Sequence, residues 1–321
     1  MDLRKVRYLG IVQMSHSIVR DVLHAATGLP YCQETNGAVW RIVWEAVLSE
    51  MNFLLSNLPE VKTKENEALS DEFFCRILAF LAPNRSCLSR LVQKLIAYDD
   101  VIQHKDTESS STKLTTAKTS SRKAAVHKAL ESLGLSAEEL RDLTETNEVK
   151  PSVKRARLLR GNVVTEAMKE KEYLAYADAR RSSFPFLKPQ EKREKKNAVE
   201  KLKIGSSWFD RLRIPAEILT PLLQLTLSFL ANEMVFLIVD FVHVIRMDQK
   251  NDTFLRYKLL QAAARDSLSE INIELFNVLS LPLRSVATVD EVRNIFRIFS
   301  SAYFNPLDGA RKSRRSLFSY F

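Results

Sequence analysis

An all-α chain is what this sequence predicts, built on two long apolar helices, one in each half. Three observations carry that expectation. Glycine is scarce, seven in 321 residues, and chains of strands need Gly at their turns. Apolar residues recur at three- and four-residue spacing in one segment after another. Finally, between Leu222 and Ile245 almost every residue is apolar. As a helix, the segment 214–247 would span about 45–50 Å, against a usual helix of about 11–12 residues.

Taken in order, residues 15–29 (SHSIVRDVLHAATGL) predict a short helix with Ile18, Val19, Val22 and Leu23 on one face. Gly28 is its expected stop and Pro30 follows. His16 and His24 have no second ligand at a metal-binding spacing and read as surface or core residues. From Asn36 to Leu58 comes the first long helix. Val39, Trp40, Val43, Val47, Met51, Leu54 and Leu58 mark its face, widened by Trp44, Leu48 and Leu55, and Pro59 ends it. Ser70 then reads as an N-cap, with Asp71 and Glu72 suited to the positive helix end and Leu69 stapled on Phe74. That helix runs to Leu81 and closes at Pro83. Another follows to Ile102, with Leu88, Leu91, Val92, Leu95 and Ile96 apolar. Short, long, short and C-terminal helices in this order form the layout of a histone fold, which leaves its long helix half uncovered without a partner fold.

The middle of the chain differs in charge. The net charge is +9, and residues 111–205 carry 22 Lys and Arg against 13 Asp and Glu, while both flanks are near neutral. Residues 105–121 are low in complexity and are expected to be disordered. Residues 122–142 predict one amphipathic helix through Ala125, Leu130, Leu133 and Leu140. The cluster 150–160 (KPSVKRARLLR) suits either nuclear import or phosphate contact, or a plain solvated run. Residues 166–181 form a charged helix with Tyr173, Tyr176 and Ala177 on one side, and 188–196 are a second basic cluster.

Beyond Gly205 lies a short apolar element, SSWFDRLRI, and then the second long helix. Thr226, Glu233 and Asp240 recur on it every seven residues, along one side. A transmembrane span is the rival reading of so apolar a helix. Two central acids, each costing about 2.5–3.5 kcal/mol on insertion scales, oppose it, as do Gln224, Asn232, His243 and Pro221. A core helix clasped by shorter helices is therefore expected, with no membrane partner. Residues 254–281 predict one or two further helices. Thr288 with Glu291 matches a capping box, and its helix carries Val292, Ile295, Phe296 and Phe299. Asn305-Pro306 ends it before a basic tail with aromatic ends. The second half thus repeats the first half's order of short, long and short helix.

Several function classes find no motif. There is no GxxxxGK[ST], GxGxxG, HExxH or GxSxG, the five histidines are scattered, and Cys32, Cys75 and Cys87 form no CxxC. No catalysis, cofactor, metal or small-molecule substrate is expected. The odd cysteine count suits a reducing compartment, and the start (MDLRKVRYLGIVQM) lacks the apolar region of a secretory signal. A nucleic-acid-binding protein using the basic middle is the competing class. Residues 111–165 hold no aromatic, so such binding would be electrostatic and salt-sensitive.

Five collinear stretches resemble a known family. They are LHAATGLPYCQETNGAVWRIVWEAVLSEMN, then SDEFFCRILAFL with SRLVQKLIAYDDVI, then EYLAYADARRSSF, then LSFLANEMVFLIVDFVHVIRMD, and last VDEVRNIFRIF with NPLDGARKSRRSLF. Together they resemble the Spt-three subunit of the SAGA coactivator, whose halves resemble TFIID subunits thirteen and eleven. Three places depart from the family: Asn232, where an aromatic is usual; the insertion at 248–287; and 188–203 in place of a short first helix.

The resemblance implies two histone folds paired within one chain, 15–102 and 166–321, joined by a basic, partly disordered linker at 103–165. It implies a nuclear, non-catalytic transcription coactivator whose partners are other SAGA core subunits and the TATA-binding protein, delivered to promoters of RNA polymerase II genes. A weak electrostatic DNA contact is the remaining partner expectation. Glu233 and Asp240 match the family's acidic residues on the long second-fold helix, where contact with the TATA-binding protein is placed; the bland alternative is that they face solvent or form a salt bridge within the domain. Trp40, Val43, Val47 and Leu54 are expected to pair the folds against Leu227, Leu230, Leu237 and Phe241.

Overall fold

A computed structural model describes residues 17–30, 33–61, 69–109, 120–144, 152–184, 208–212, 214–251, 273–300 and 316–319. Among these the chain is helical, with no strand. The order is α1 (17–27), α2 (Gln33–Ser56), α3 (Leu69–Leu81), α4 (Arg85–Ser109), α5 (Ser120–Ser132), α6 (Ala137–Thr144), α7 (Val153–Glu166), α8 (Glu170–Arg181), α9 (Pro221–Asn251), α10 (Ile273–Ser280) and α11 (Val289–Ile295). The cluster 188–196, the segment 252–272, Cys32, His16 and residues 301–315 lie outside the described residues.

The 31-residue α9 is the axis of the fold. It packs against α2, α4, α10 and α11. It is long and apolar enough to cross a membrane by length and composition, but 78% of its most apolar window is buried inside the protein. Protein side chains therefore cover what lipid would otherwise have to cover. The expected pairing residues all lie in the core: Trp40, Val43, Val47 and Leu54 on α2, and Leu227, Leu230, Leu237 and Phe241 on α9.

An aromatic run ties α2 to later parts of the chain. Trp44 stacks on Phe184 at 5.7 Å between centroids, Phe184 meets Trp208 at 5.4 Å, and Trp208 meets Phe209 at 4.3 Å. Offset and tilted ring pairs of this kind add to the burial they bring. Asn52 of α2 donates to the Arg211 carbonyl beside them. The short apolar element after Gly205 is thus an anchor for the first long helix.

Local signals set several boundaries as expected. Gly28 ends α1 at φ 74°, and its amide donates to the His24 carbonyl at 2.8 Å. Thr288 caps α11: its hydroxyl accepts from the Glu291 amide, while the Glu291 carboxylate accepts from the Thr288 amide. Other boundaries moved. Leu69 is the first residue of α3 and 63% exposed, so it forms no staple over the buried Phe74. The segment 105–109, expected to be disordered, continues α4.

The largest change concerns the middle. Residues 122–142 form two helices, α5 and α6, because Gly134 adopts φ 77° and turns the chain between them. Nor is the described part of 103–165 a loose connector. Val126, Ala129, Leu130, Leu140, Leu143, Val153 and Ala156 are buried in the common core. Helix α5 packs on α3 and α4, α6 on α4, and α7 on α10. Enough apolar surface recurs along these charged segments to offset the entropy of ordering them.

Candidate functional site

Glu233 and Asp240 project from the same side of α9, as their seven-residue spacing requires. That side faces inward. Glu233 is 5% exposed and Asp240 fully buried. The acidic stripe expected to meet a partner is therefore not on the surface, which corrects the expectation. A buried carboxylate needs a fixed cation, because burial without one costs several kcal/mol. Three arginines from two other helices supply it.

Arg157 of α7 bridges the two acids. Its Nε and Nη2 donate to Asp240 Oδ2 at 2.8 and 2.6 Å, and its Nη1 donates to Glu233 Oε1 at 2.8 Å. The guanidinium also lies over the Phe236 ring, 5.1 Å from the centroid. Arg160, one turn later on α7, donates to Asp240 Oδ1 at 3.0 Å and to the Leu279 carbonyl of α10 at 3.0 Å. Arg90 of α4 donates to Glu233 Oε1 at 2.8 Å and to Ser86 Oγ at 2.7 Å. Helices α4 and α7 thus meet α9 at its two carboxylates, and the Leu279 carbonyl ties α10 to them through Arg160. The planar fork of arginine suits this bridging role, which a lysine's point charge cannot reproduce.

The electrostatics follow from this packing. Burial alone would raise the Glu233 carboxyl, but Arg157 and Arg90 hold it below the usual carboxylate range. Burial opposes the charge of Arg157, and Asp240 with Glu233 outweighs it, so its pKa is raised. For Arg160 burial prevails, with Arg157 adding to it and Asp240 opposing, and the pKa is lowered. His243, one turn beyond Asp240, is pushed well below its ordinary value by burial, then by Arg160 and Arg246; it sits in the core as the neutral ring. Thr226, third in the seven-residue series, is buried and donates to the Leu222 carbonyl of its own helix.

Helix α7 turns an arginine inward where its sequence pattern suggests an apolar face. Its inward face is Val153, Ala156 and Arg160, while Leu158, Leu159 and Val163 are exposed. Small apolar residues share the inward face with Arg160, while the larger apolar residues Leu158, Leu159 and Val163 face out. Two arginines of the basic cluster 150–160 are accordingly internal structure. Lys154 and Arg155 of the same cluster are exposed.

The cysteines within the described residues lie in the core. Cys75 and Cys87 are buried thiols outside any disulfide, and Cys75 Sγ lies 3.7 Å from Ser132 Oγ. Burial pushes the Cys87 thiol up to about 12, far from a reactive thiolate. Among the described residues no group of His, Cys, Asp and Glu is arranged to hold a metal ion. What this site does chemically is fix four helices in one register, and it presents no reacting group to solvent.

Comparison of the chain with known protein families, with curated proteins and with solved structures finds no match.

Proposed function

We propose that the chain is a non-catalytic scaffold in which two histone folds, 15–102 and 166–321, pair within one polypeptide. In this reading it is a nuclear coactivator subunit of a SAGA-type complex. It would engage the TATA-binding protein and other core subunits and help deliver that factor to RNA polymerase II promoters. The observation that carries the reading is the mutual packing of α2 and α9, one long helix from each half, each flanked by shorter helices. The five collinear stretches of resemblance support it from the sequence side. Glu233 and Asp240 lie inside, so a partner contact must use other residues.

The test is recovery of the tagged full chain from its own cells, with mass spectrometry, together with direct binding to purified TATA-binding protein. The expected result is SAGA core subunits and the TATA-binding protein in the eluate, and a saturable complex in the direct assay. Recovery of neither would overturn the proposal. The competing nucleic-acid reading rests on the charge of the middle segment, and the burial of Arg157 and Arg160 weakens it. Any DNA affinity of the intact protein is expected to fall steeply with salt.

A further inference from the structure

The C-terminal tail ends in a fitted seat. Ser316, Leu317 and Phe318 are all buried, and the turn Leu317–Ser319 packs on α9. The seat reads this tripeptide by its polar atoms. Glu50 of α2, itself fully buried, accepts from the Ser316 hydroxyl at 3.2 Å and from the Leu317 amide at 3.1 Å on one carboxylate oxygen. The same hydroxyl accepts from the Phe318 amide at 3.3 Å. Asn84, in the turn between α3 and α4, donates through its side-chain amide to the Phe318 carbonyl and accepts from the Cys87 amide with its oxygen. The tail therefore joins α2, the α3–α4 turn and α9.

We propose that Ser316 is a phosphoryl-acceptor site, and that its phosphoester cannot occupy this seat. Three of the four residues before it, Lys312, Arg314 and Arg315, are basic, a context read by protein kinases that select basic residues on the N-terminal side of the acceptor. Because Ser316 is buried, modification captures the tail during local opening. The hydroxyl oxygen then attacks the γ-phosphorus of ATP. The bond to the bridging oxygen of ADP breaks, ADP leaves, and the hydroxyl proton passes to the kinase's base. Two consequences bar re-docking. The ester oxygen no longer carries the proton that it donated to Glu50. A group of about −1.5 to −2 charge would also face a buried carboxylate. The tail stays out, and the apolar surface of α9 beneath Leu317 and Phe318 opens.

The test is amide hydrogen exchange at Leu317 and Phe318 in the full-length protein. Treatment with ATP and the catalytic subunit of a base-selective protein kinase should place phosphate on Ser316 and speed exchange by at least ~10-fold. Ser316→Glu should do the same without the kinase. Ser316→Ala should change exchange at Leu317 by less than ~3-fold, since that amide keeps Glu50 as its acceptor, whereas the Phe318 amide loses the hydroxyl that accepts from it. Adding Glu50→Gln to Ser316→Glu should restore protection to within ~3-fold of the parent, because the like charge is gone while an acceptor remains. Four results would each overturn the proposal: no phosphate at Ser316, a Ser316→Glu tail as protected as the parent, a Leu317 amide that exchanges as fast in Ser316→Ala as in Ser316→Glu, or no recovery at Leu317 in the double variant.

Discussion

Replacing Arg157 by Leu removes about 3 kcal/mol of stability, because it deletes the guanidinium that bridges two buried acids and leaves each with one arginine, Arg160 on Asp240 and Arg90 on Glu233. Arg157 makes two hydrogen bonds to Asp240 and one to Glu233, and the side chains of both acids are almost wholly sheltered. The loss is read as a shift of the urea midpoint with little change in slope. Arg157→Lys falls between, because one ammonium cannot reach both acids with the same geometry.

The pH dependence has a definite sign. In the parent, the pKa of Glu233 is depressed. Its stabilising contribution is present above the unfolded value and disappears as pH falls through the lower folded value. In Arg157→Leu, Glu233 loses the partner that contributes most to that depression, while the burial that raises it remains. Protonation then relieves the variant. The stability gap between parent and variant is accordingly largest at neutral pH and narrows as pH falls through the carboxylate range. A gap that is constant from neutral to acidic pH, or a loss below about 1 kcal/mol, would show that the network holds nothing together.

Gly28→Ala is the second large effect. Two separate costs meet at this residue. Its φ of 74° lies in the left-handed region, which costs an L side chain about 1–2 kcal/mol. An added Cβ would also stand 2.1 Å from Cγ1 of Val164 and 3.1 Å from both Cβ and Cγ2. Rotating Val164 about its χ1 leaves its Cβ 3.1 Å from the added atom, so relieving the contact fully requires α1 to move away from α7. Overpacking of this kind costs about 1–3 kcal/mol, and the expected total is about 2–5 kcal/mol in thermal or urea unfolding. Val164→Ala in the same chain should return the packing share and leave the backbone share. Full recovery would assign the whole effect to the clash, and no recovery would assign it to φ.

Elements whose signals are local were readable in advance. The stop at Gly28, the apolar faces of α2 and α9, and the capping box of Thr288 each lie within a few residues of the feature they specify. The turn at Gly134 was equally local, but the apolar positions on both sides continue one helical pattern across it. The arginine network was not readable that way. Arg157 and Asp240 are 83 positions apart, and no periodicity links them. The available signal was indirect: two acids in an otherwise apolar helix demand buried cations, and the stretch 155–160 is rich in arginine. It was masked by Leu158 and Leu159, which suggest an apolar face on the side that is in fact exposed. The tail seat was hidden for the same reason, since Glu50 and Ser316 are separated by 266 positions.

The central claim is that the long helices of the two halves cover each other inside one chain. Its most direct test is a specific protease site placed within residues 110–119 of the full-length protein, cut after folding. The two pieces should remain together in size-exclusion chromatography and part only when denaturant unfolds both in one transition. Two folded pieces that elute as separate monomers in native buffer would contradict the account.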